Sequence, residues 1–191
     1  MREIILASNS PRRRQLLKEA GYDFKTINTD FDEQFPKDLP PASIAEFLAR
    51  SKNRHYRDQY LDEVLITADT IVVNKGMIIN KPGDKVEAVE MLMGLSGGAH
   101  QVISGICISD KEKEITLHDS TMVYFEHLLD DEIAYYIERH QPFDKAGSYG
   151  IQDWIGLTKI NKIEGSYFNV MGLPVNILYQ TLKDEFNITP F

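Results

Sequence analysis

Short apolar runs bounded by turn residues alternate along this chain with segments whose apolar residues recur at helical spacing. The first run, 3–7, predicts a buried strand. Ser8-Asn9-Ser10-Pro11 follows and predicts a turn into a helix, with Ser10 as N-cap, Pro11 at the first helical position and Gly21 at the C′ end. Residues 23–28 look extended. The stretch 29–41, with Asp30, Asp32, Glu33 and three prolines, predicts an ordered loop. A second helix is expected from Ser43, where Ser43 and Glu46 make a capping-box pattern ahead of Phe47 and Leu48.

The β-branched and apolar run 64–74 predicts one central strand. Asn74-Lys75-Gly76 predicts a hairpin turn into a strand at 77–79. Asp84 and Glu87 cap a further helix that Gly97-Gly98 stops. Two long strands are expected at 101–109 and 114–125, a helix at 130–140, loop at 141–157, a strand at 158–163 and a last helix at 174–186. Strands alternating with helices, with some hairpins, define a mixed α/β fold. No linker is visible, so 1–191 reads as a single domain, with the loop at 126–130 as the expected divide between two lobes.

Composition narrows the class. Of 191 residues, 42% are hydrophobic and 26% charged, which supports one sizeable core and excludes wholesale disorder. The net charge of −8 argues against a nucleic-acid binder, whose affinity rests on a basic face. The lone Cys107 excludes an internal disulfide and any multi-cysteine metal site. The apolar run after Met1-Arg2-Glu3 is too short for a signal peptide, and no run is long enough for a membrane span. A soluble, cytoplasmic protein is the expectation.

Four segments could carry chemistry. Ser8, Ser10, Arg12, Arg13 and Arg14 surround a helix N-terminus, whose free N–H groups and positive dipole end favour anions. Arginine adds planar donors that match phosphate oxygens. Cations on a first turn oppose the dipole, so an anionic ligand is favoured there over a merely solvated helix end. Asp69, next to Thr70 in an apolar strand, must be paired, metal-bound or capping a strand end, and the residues alone leave these open. Lys81 before Pro82, and Lys52 four residues after Leu48 at the edge of the buried face, read by themselves as surface lysines sooner than as site cations. The loop 144–152 holds Gly147 and Gly150 among small residues, and Gln152 offers both a donor and an acceptor to a nucleobase edge. A tight structural loop is the alternative.

Together these segments resemble the Maf family of nucleoside triphosphate pyrophosphatases. The matching stretches are Ala7-Ser8-Asn9-Ser10-Pro11-Arg12-Arg13, Ala68-Asp69-Thr70-Ile71-Val72, Gly76 with Lys81-Pro82, and Leu95-Ser96-Gly97 with His100-x-Val102. Two more follow, Asp144 to Gln152 and Asn169-Val170-Met171-Gly172-Leu173-Pro174. They occur in family order across nearly the whole chain. The resemblance implies an elongated mixed sheet flanked by helices, with two lobes around a central cleft as in inosine triphosphatase-like folds. It implies hydrolysis of a nucleoside triphosphate to the monophosphate and pyrophosphate, a divalent cation (Mg²⁺ or Mn²⁺), a homodimer, and a house-cleaning role with a link to septum formation. It makes Asp69 the catalytic carboxylate, and Glu33 with Asp69 the metal ligands. Ser8, Arg12, Arg13, Lys52 and Lys81 would hold phosphates, and Thr70 and Gln152 would position the nucleotide.

Arg12, Thr70 and Gln152 are similar to the branch acting on dTTP and UTP. Where many relatives have glycine after the glutamine, this chain has Asp153-Trp154, and Trp154 either narrows the base pocket or packs outward. Modified pyrimidine nucleotides are expected beside dTTP and UTP; the alternatives are the same chemistry on 7-methyl-GTP or a broader nucleotide set, and a nucleotide-binding regulator of cell division without essential turnover.

Overall fold

The computed structural model describes residues 2–31, 33–36 and 39–191; Met1, Asp32, Lys37 and Asp38, and with Asp32 part of the expected acidic loop, lie outside the described residues. Seven strands hydrogen-bond in the order β2-β1-β3-β5-β6-β7, with β4 on β3. They are β1 (Ile4–Ala7), β2 (Lys25–Ile27), β3 (Val64–Asn74), β4 (Met77–Ile79), β5 (Ala99–Ser109), β6 (Glu114–Phe125) and β7 (Ile160–Glu164). The helices among them are α1 (Pro11–Glu19), α2 (Pro41–Arg57), α3 (Lys85–Leu95), α4 (Asp130–His140), α5 (Trp154–Lys159), α6 (Tyr167–Met171) and α7 (Val175–Phe186). This is the mixed α/β architecture that the alternation of patterns predicts. None of the described helices is long and apolar enough to cross a membrane.

The chain divides into two compact units. The first comprises Met1–Thr70, Ser104–Asp119 and Gly172–Phe191, and the second Ile71–Ile103 and Ser120–Met171. Three of the four divisions fall within β3, β5 and β6, and the fourth follows α6. The expected divide at 126–130 instead lies inside the second unit.

In the first unit, β1 lies between β2 and β3 and is parallel to both. Every residue of β1 is buried, as its unbroken apolar run requires. Helix α1 makes the crossover to β2. Its N-cap Ser10 accepts the Arg13 N–H, Pro11 opens it, and Gly21 follows its end with φ +87°. Helix α2 buries Ile44, Ala45, Leu48, Ala49, Lys52, Asn53 and Tyr56, one stripe repeating every four residues. Gly105 of β5 is where α2 approaches closest: a Cβ there would stand 2.2 Å from the Ala45 carbonyl oxygen.

Helix α2 starts at Pro41, not at Ser43. Proline needs no N–H partner at a first helical position, and the Ile44 N–H already bonds the Pro40 carbonyl. Ser43 is thereby inside the first turn and makes no cap.

In the second unit, Lys75 (φ +51°) and Gly76 (φ +79°) turn β3 into antiparallel β4, as expected of Asn74-Lys75-Gly76. Asp84 caps α3 by accepting the Glu87 N–H, while the Glu87 carboxylate accepts from Gly83. Helix α5 occupies 154–159, where loop and the start of a strand were expected. The Asp153 carbonyl accepts from Gly156 and Leu157, and Thr158 bonds back to the Trp154 carbonyl, so the strand begins only at Ile160. The short helix α6 was likewise unforeseen.

His100 is buried among Phe125 and Tyr149, with its Nε2 2.7 Å from the Tyr149 hydroxyl. Burial pushes its pKa down from 6.5 to about 4, so it folds neutral. The unfolded chain protonates this ring below about pH 6.5, and the folded chain only below about pH 4. Stability is therefore complete above pH 6.5 and falls as pH drops toward 4, by about 3 kcal/mol from this group. Urea unfolding at pH 7.5, 6 and 5 should show about 2 kcal/mol of that loss by pH 5, and His100→Asn should remove most of it.

Candidate active site

The parallel register of β1 and β3 pairs Ala7 with Thr67. Strand β1 ends there while β3 runs on. The chain leaving β1 into α1 is thus brought beside Ala68-Asp69-Thr70. Because β2 and β3 lie on opposite sides of β1, this is the kind of strand end where sheet order reverses and open α/β proteins bind ligands.

Asp69 is buried, with its side chain 9% exposed. Its Oδ1 accepts the Thr70 N–H at 2.8 Å, and its Oδ2 accepts from Lys52 Nζ at 2.8 Å. Lys52 is equally enclosed, at 6%, and also donates to Glu33 Oε1 at 3.1 Å. The surface-lysine alternative for Lys52 is therefore overturned. The residue lies on the buried stripe of α2, whose register β3 and β5 set. Thr67 Oγ1 donates to the Ala49 carbonyl, and Asn53 Nδ2 donates to the Leu65 and Cys107 carbonyls. Lys52 lies between these two anchors.

Glu33 is more exposed, at 41%. The loop before it is tied at two points. Asn9 exchanges two bonds with Thr29, donating from Nδ2 at 2.7 Å and accepting at Oδ1 at 2.9 Å. The Tyr56 hydroxyl accepts the Asp30 N–H and donates to the Asp30 carbonyl. Phe31 packs edge-on to His55.

At the start of α1, Ser8 is buried and its Oγ accepts the Ser10 N–H. Arg12 is half-buried on the first turn. Arg13 extends from the same turn into the protein. Its Nε donates to the Gly172 carbonyl at 2.7 Å, Nη1 to the Ala68 carbonyl at 2.8 Å, and Nη2 to Thr70 Oγ1 at 3.0 Å. Burial lowers its pKa, an effect that the Asp69 charge opposes. Thr70 Oγ1 also bonds Ser104 Oγ at 2.8 Å. Gly172 has φ +111°, which side chains rarely adopt.

The first unit thus brings together Ser8, Arg12, Arg13, Glu33, Lys52, Asp69 and Thr70. Lys81 and Gln152 belong to the second unit. Lys81 is exposed. Gln152 donates through Nε2 to Asp153 Oδ1 at 3.2 Å, and its Oε1 is buried with no partner among the described residues. Asp153 Oδ2 accepts from the Tyr136 hydroxyl at 2.7 Å, and that hydroxyl accepts the Gly150 N–H. Trp154 packs edge-to-face on Tyr135. Sequence reading missed Asn9, Asn53, Thr67 and Ser104. Polar residues at otherwise apolar buried positions were the available signal for Asn53 and Thr67.

Glu33 and Asp69 meet at one ammonium, and carboxylate oxygens such as theirs are the donors that a hard cation takes. Mg²⁺ takes one or two carboxylates and fills its shell with substrate phosphates and water. Glu33 and Asp69 fit that demand.

The fold and this charged cluster at a strand–helix junction define a mixed α/β protein with buried, paired charge at the end of its central strands. The chain belongs to the Maf family: the model of the Maf-like protein family matches residues 3–185. A protein of Porphyromonas gingivalis named dTTP/UTP pyrophosphatase is 47% identical over 186 residues, covering 95% of this chain and 94% of its own. Proteins of the same name from Bacteroides fragilis (48% identical; 95% of each chain) and Cytophaga hutchinsonii (46% identical; 97% and 85%) are also similar. Among solved structures, the Staphylococcus aureus Ham1 protein is similar at a TM-score of 0.48, with 16% identity over 65% of this chain and 72% of that one.

Proposed function

We propose that the protein hydrolyses dTTP and UTP between the α- and β-phosphates, giving the monophosphate and pyrophosphate. The observation that carries this is the buried Lys52–Asp69 pair, joined by Glu33, beside the N-terminus of α1. Asp69 is the group that takes a proton from the attacking water. Its Oδ1 is held by the Thr70 N–H and its Oδ2 by Lys52, so the carboxylate is oriented before substrate arrives. As water adds to the α-phosphorus, the bond to the bridging oxygen breaks and pyrophosphate leaves as an anion. The chemistry then depends mainly on alignment and neutralisation of charge.

Lys52 supplies positive charge from α2. Ser8 and Arg12, at the positive end of the α1 dipole, receive phosphate oxygens. Glu33 and Asp69 are the residues that would hold a Mg²⁺ or Mn²⁺ ion. When bound, such an ion neutralises charge on the phosphates. The resemblance assigns Lys81 to the phosphates and Gln152 to the base. The unpartnered Gln152 Oε1 suits the imide N–H that uracil and thymine carry and cytosine lacks. Homodimeric assembly rests on the resemblance, a cytoplasmic location and a single-domain reading of 1–191 on composition and length, and all three belong to the same proposal.

Pyrophosphate release from dTTP, UTP, CTP, 7-methyl-GTP, GTP and ATP, with Mg²⁺ or Mn²⁺ and an EDTA control, tests the reading. Metal-dependent kcat/KM for dTTP and UTP should exceed that of the other nucleotides by about tenfold or more. Turnover led by 7-methyl-GTP would overturn the base assignment and keep the chemistry. Binding with no turnover of any nucleotide would overturn the enzyme reading.

A further inference from the structure

Arginine at a helix N-terminus near a triphosphate site invites assignment as a phosphate ligand. The surroundings of Arg13 say otherwise. Each of its three guanidinium nitrogens donates to a protein acceptor, and two of those acceptors belong to Ala68 and Thr70, the residues either side of Asp69. The Ala68 carbonyl is part of the peptide unit joining Ala68 to Asp69, so the bond at 2.8 Å fixes that plane. The Thr70 hydroxyl is gripped by Arg13 at 3.0 Å and by Ser104 at 2.8 Å, and the Thr70 N–H holds Asp69 Oδ1. The third donor reaches Gly172, which is 159 residues away in sequence. A planar fork donates in fixed directions from three separate nitrogens; the three donors of an ammonium leave a single atom and cannot span acceptors set around the guanidinium.

We propose that Arg13 is a positioning residue for Asp69: it fixes the Ala68 carbonyl before the carboxylate and the Thr70 side chain after it, and does not bind the triphosphate. The inference rests on the reading of Asp69 as the proton acceptor. Lysine would replace a phosphate ligand tolerably, since it keeps the charge. It would not replace the fork.

The test compares Arg13→Lys and Arg13→Ala with the unaltered enzyme. It measures kcat and KM for dTTP, the Kd of the non-hydrolysable α,β-imido analogue of dTTP, and Tm. Both variants should lose about 100-fold or more in kcat, with KM and Kd changed less than about threefold. Guanidinium chloride at millimolar concentration should restore part of the turnover of Arg13→Ala. In an Asp69→Asn background, Arg13→Ala should lower kcat no further, because both changes remove the same function.

A tenfold rise in KM or Kd with kcat preserved, or near-normal Arg13→Lys, would overturn the proposal in favour of a phosphate ligand. Additive losses in the double variant would show that Arg13 acts elsewhere than through Asp69. If Arg13→Ala does not fold, the kcat-against-KM split of Arg13→Lys decides. Failure of the underlying reading has a separate signature, undiminished turnover in Asp69→Asn alone.

Discussion

Asp69→Asn should lower kcat for dTTP by about 10²–10⁴-fold, the usual contribution of a positioned general base, while a non-hydrolysable dTTP analogue still binds. Asparagine has the shape of aspartate but lacks its basicity. It also disturbs the anchors. In the native site one carboxylate oxygen takes the Thr70 N–H and the other takes Lys52, so both must be acceptors. An amide offers one acceptor oxygen and would turn an N–H toward one of those donors. Single-turnover pyrophosphate release together with the analogue's Kd separates chemistry from binding. A kcat within a few-fold of the native value would remove Asp69 from its assigned role.

Lys52→Met should combine a catalytic and a structural loss. The lysine is 6% exposed and its partner Asp69 9%, so removing the ammonium leaves a buried carboxylate without its cation. Breaking a buried pair in this way costs about 3–5 kcal/mol. For a chain of this size, that lowers Tm by roughly 10 °C. Turnover should fall by about 10²-fold or more, since the charge facing the phosphates and one anchor of Asp69 vanish together. Urea unfolding and pyrophosphate release on one preparation check both. Unchanged stability would mean that the pair contributes nothing net, and unchanged turnover that Lys52 has no part in the reaction.

Local chemistry made much of this fold legible in advance. Ser10 and Pro11 start α1, Gly21 ends it, and Asn74-Lys75-Gly76 turns β3 into β4, because each depends on conformational preferences of the few residues involved. The errors fell where a neighbouring contact outweighed the local signal. Ser43 has a capping pattern, yet Pro40 and Pro41 start the helix two residues earlier. Residues 158 and 159 are apt for a strand, yet the Asp153 carbonyl begins a helical turn that carries through them.

The candidate site divides in the same way. The sequence alone determined which residue types are present and in what local setting: an aspartate in an apolar strand, a cationic first turn, a lysine four residues from a core leucine. Those features implied anion chemistry because dipole ends, buried charge and spacing are properties of short segments. Only the tertiary structure decided who pairs with whom. Lys52 meets Asp69 and Glu33 because Thr67 and Asn53 set the register of α2, and the acidic loop is pinned by Asn9 and Tyr56. Arg13 reaches the Ala68 carbonyl and the Thr70 hydroxyl, either side of Asp69, while a carbonyl 159 residues away in sequence takes its third bond. Hydrogen bonds are short-ranged and directional, so their partners follow from where the folded chain places each group, which spacing along the sequence does not encode.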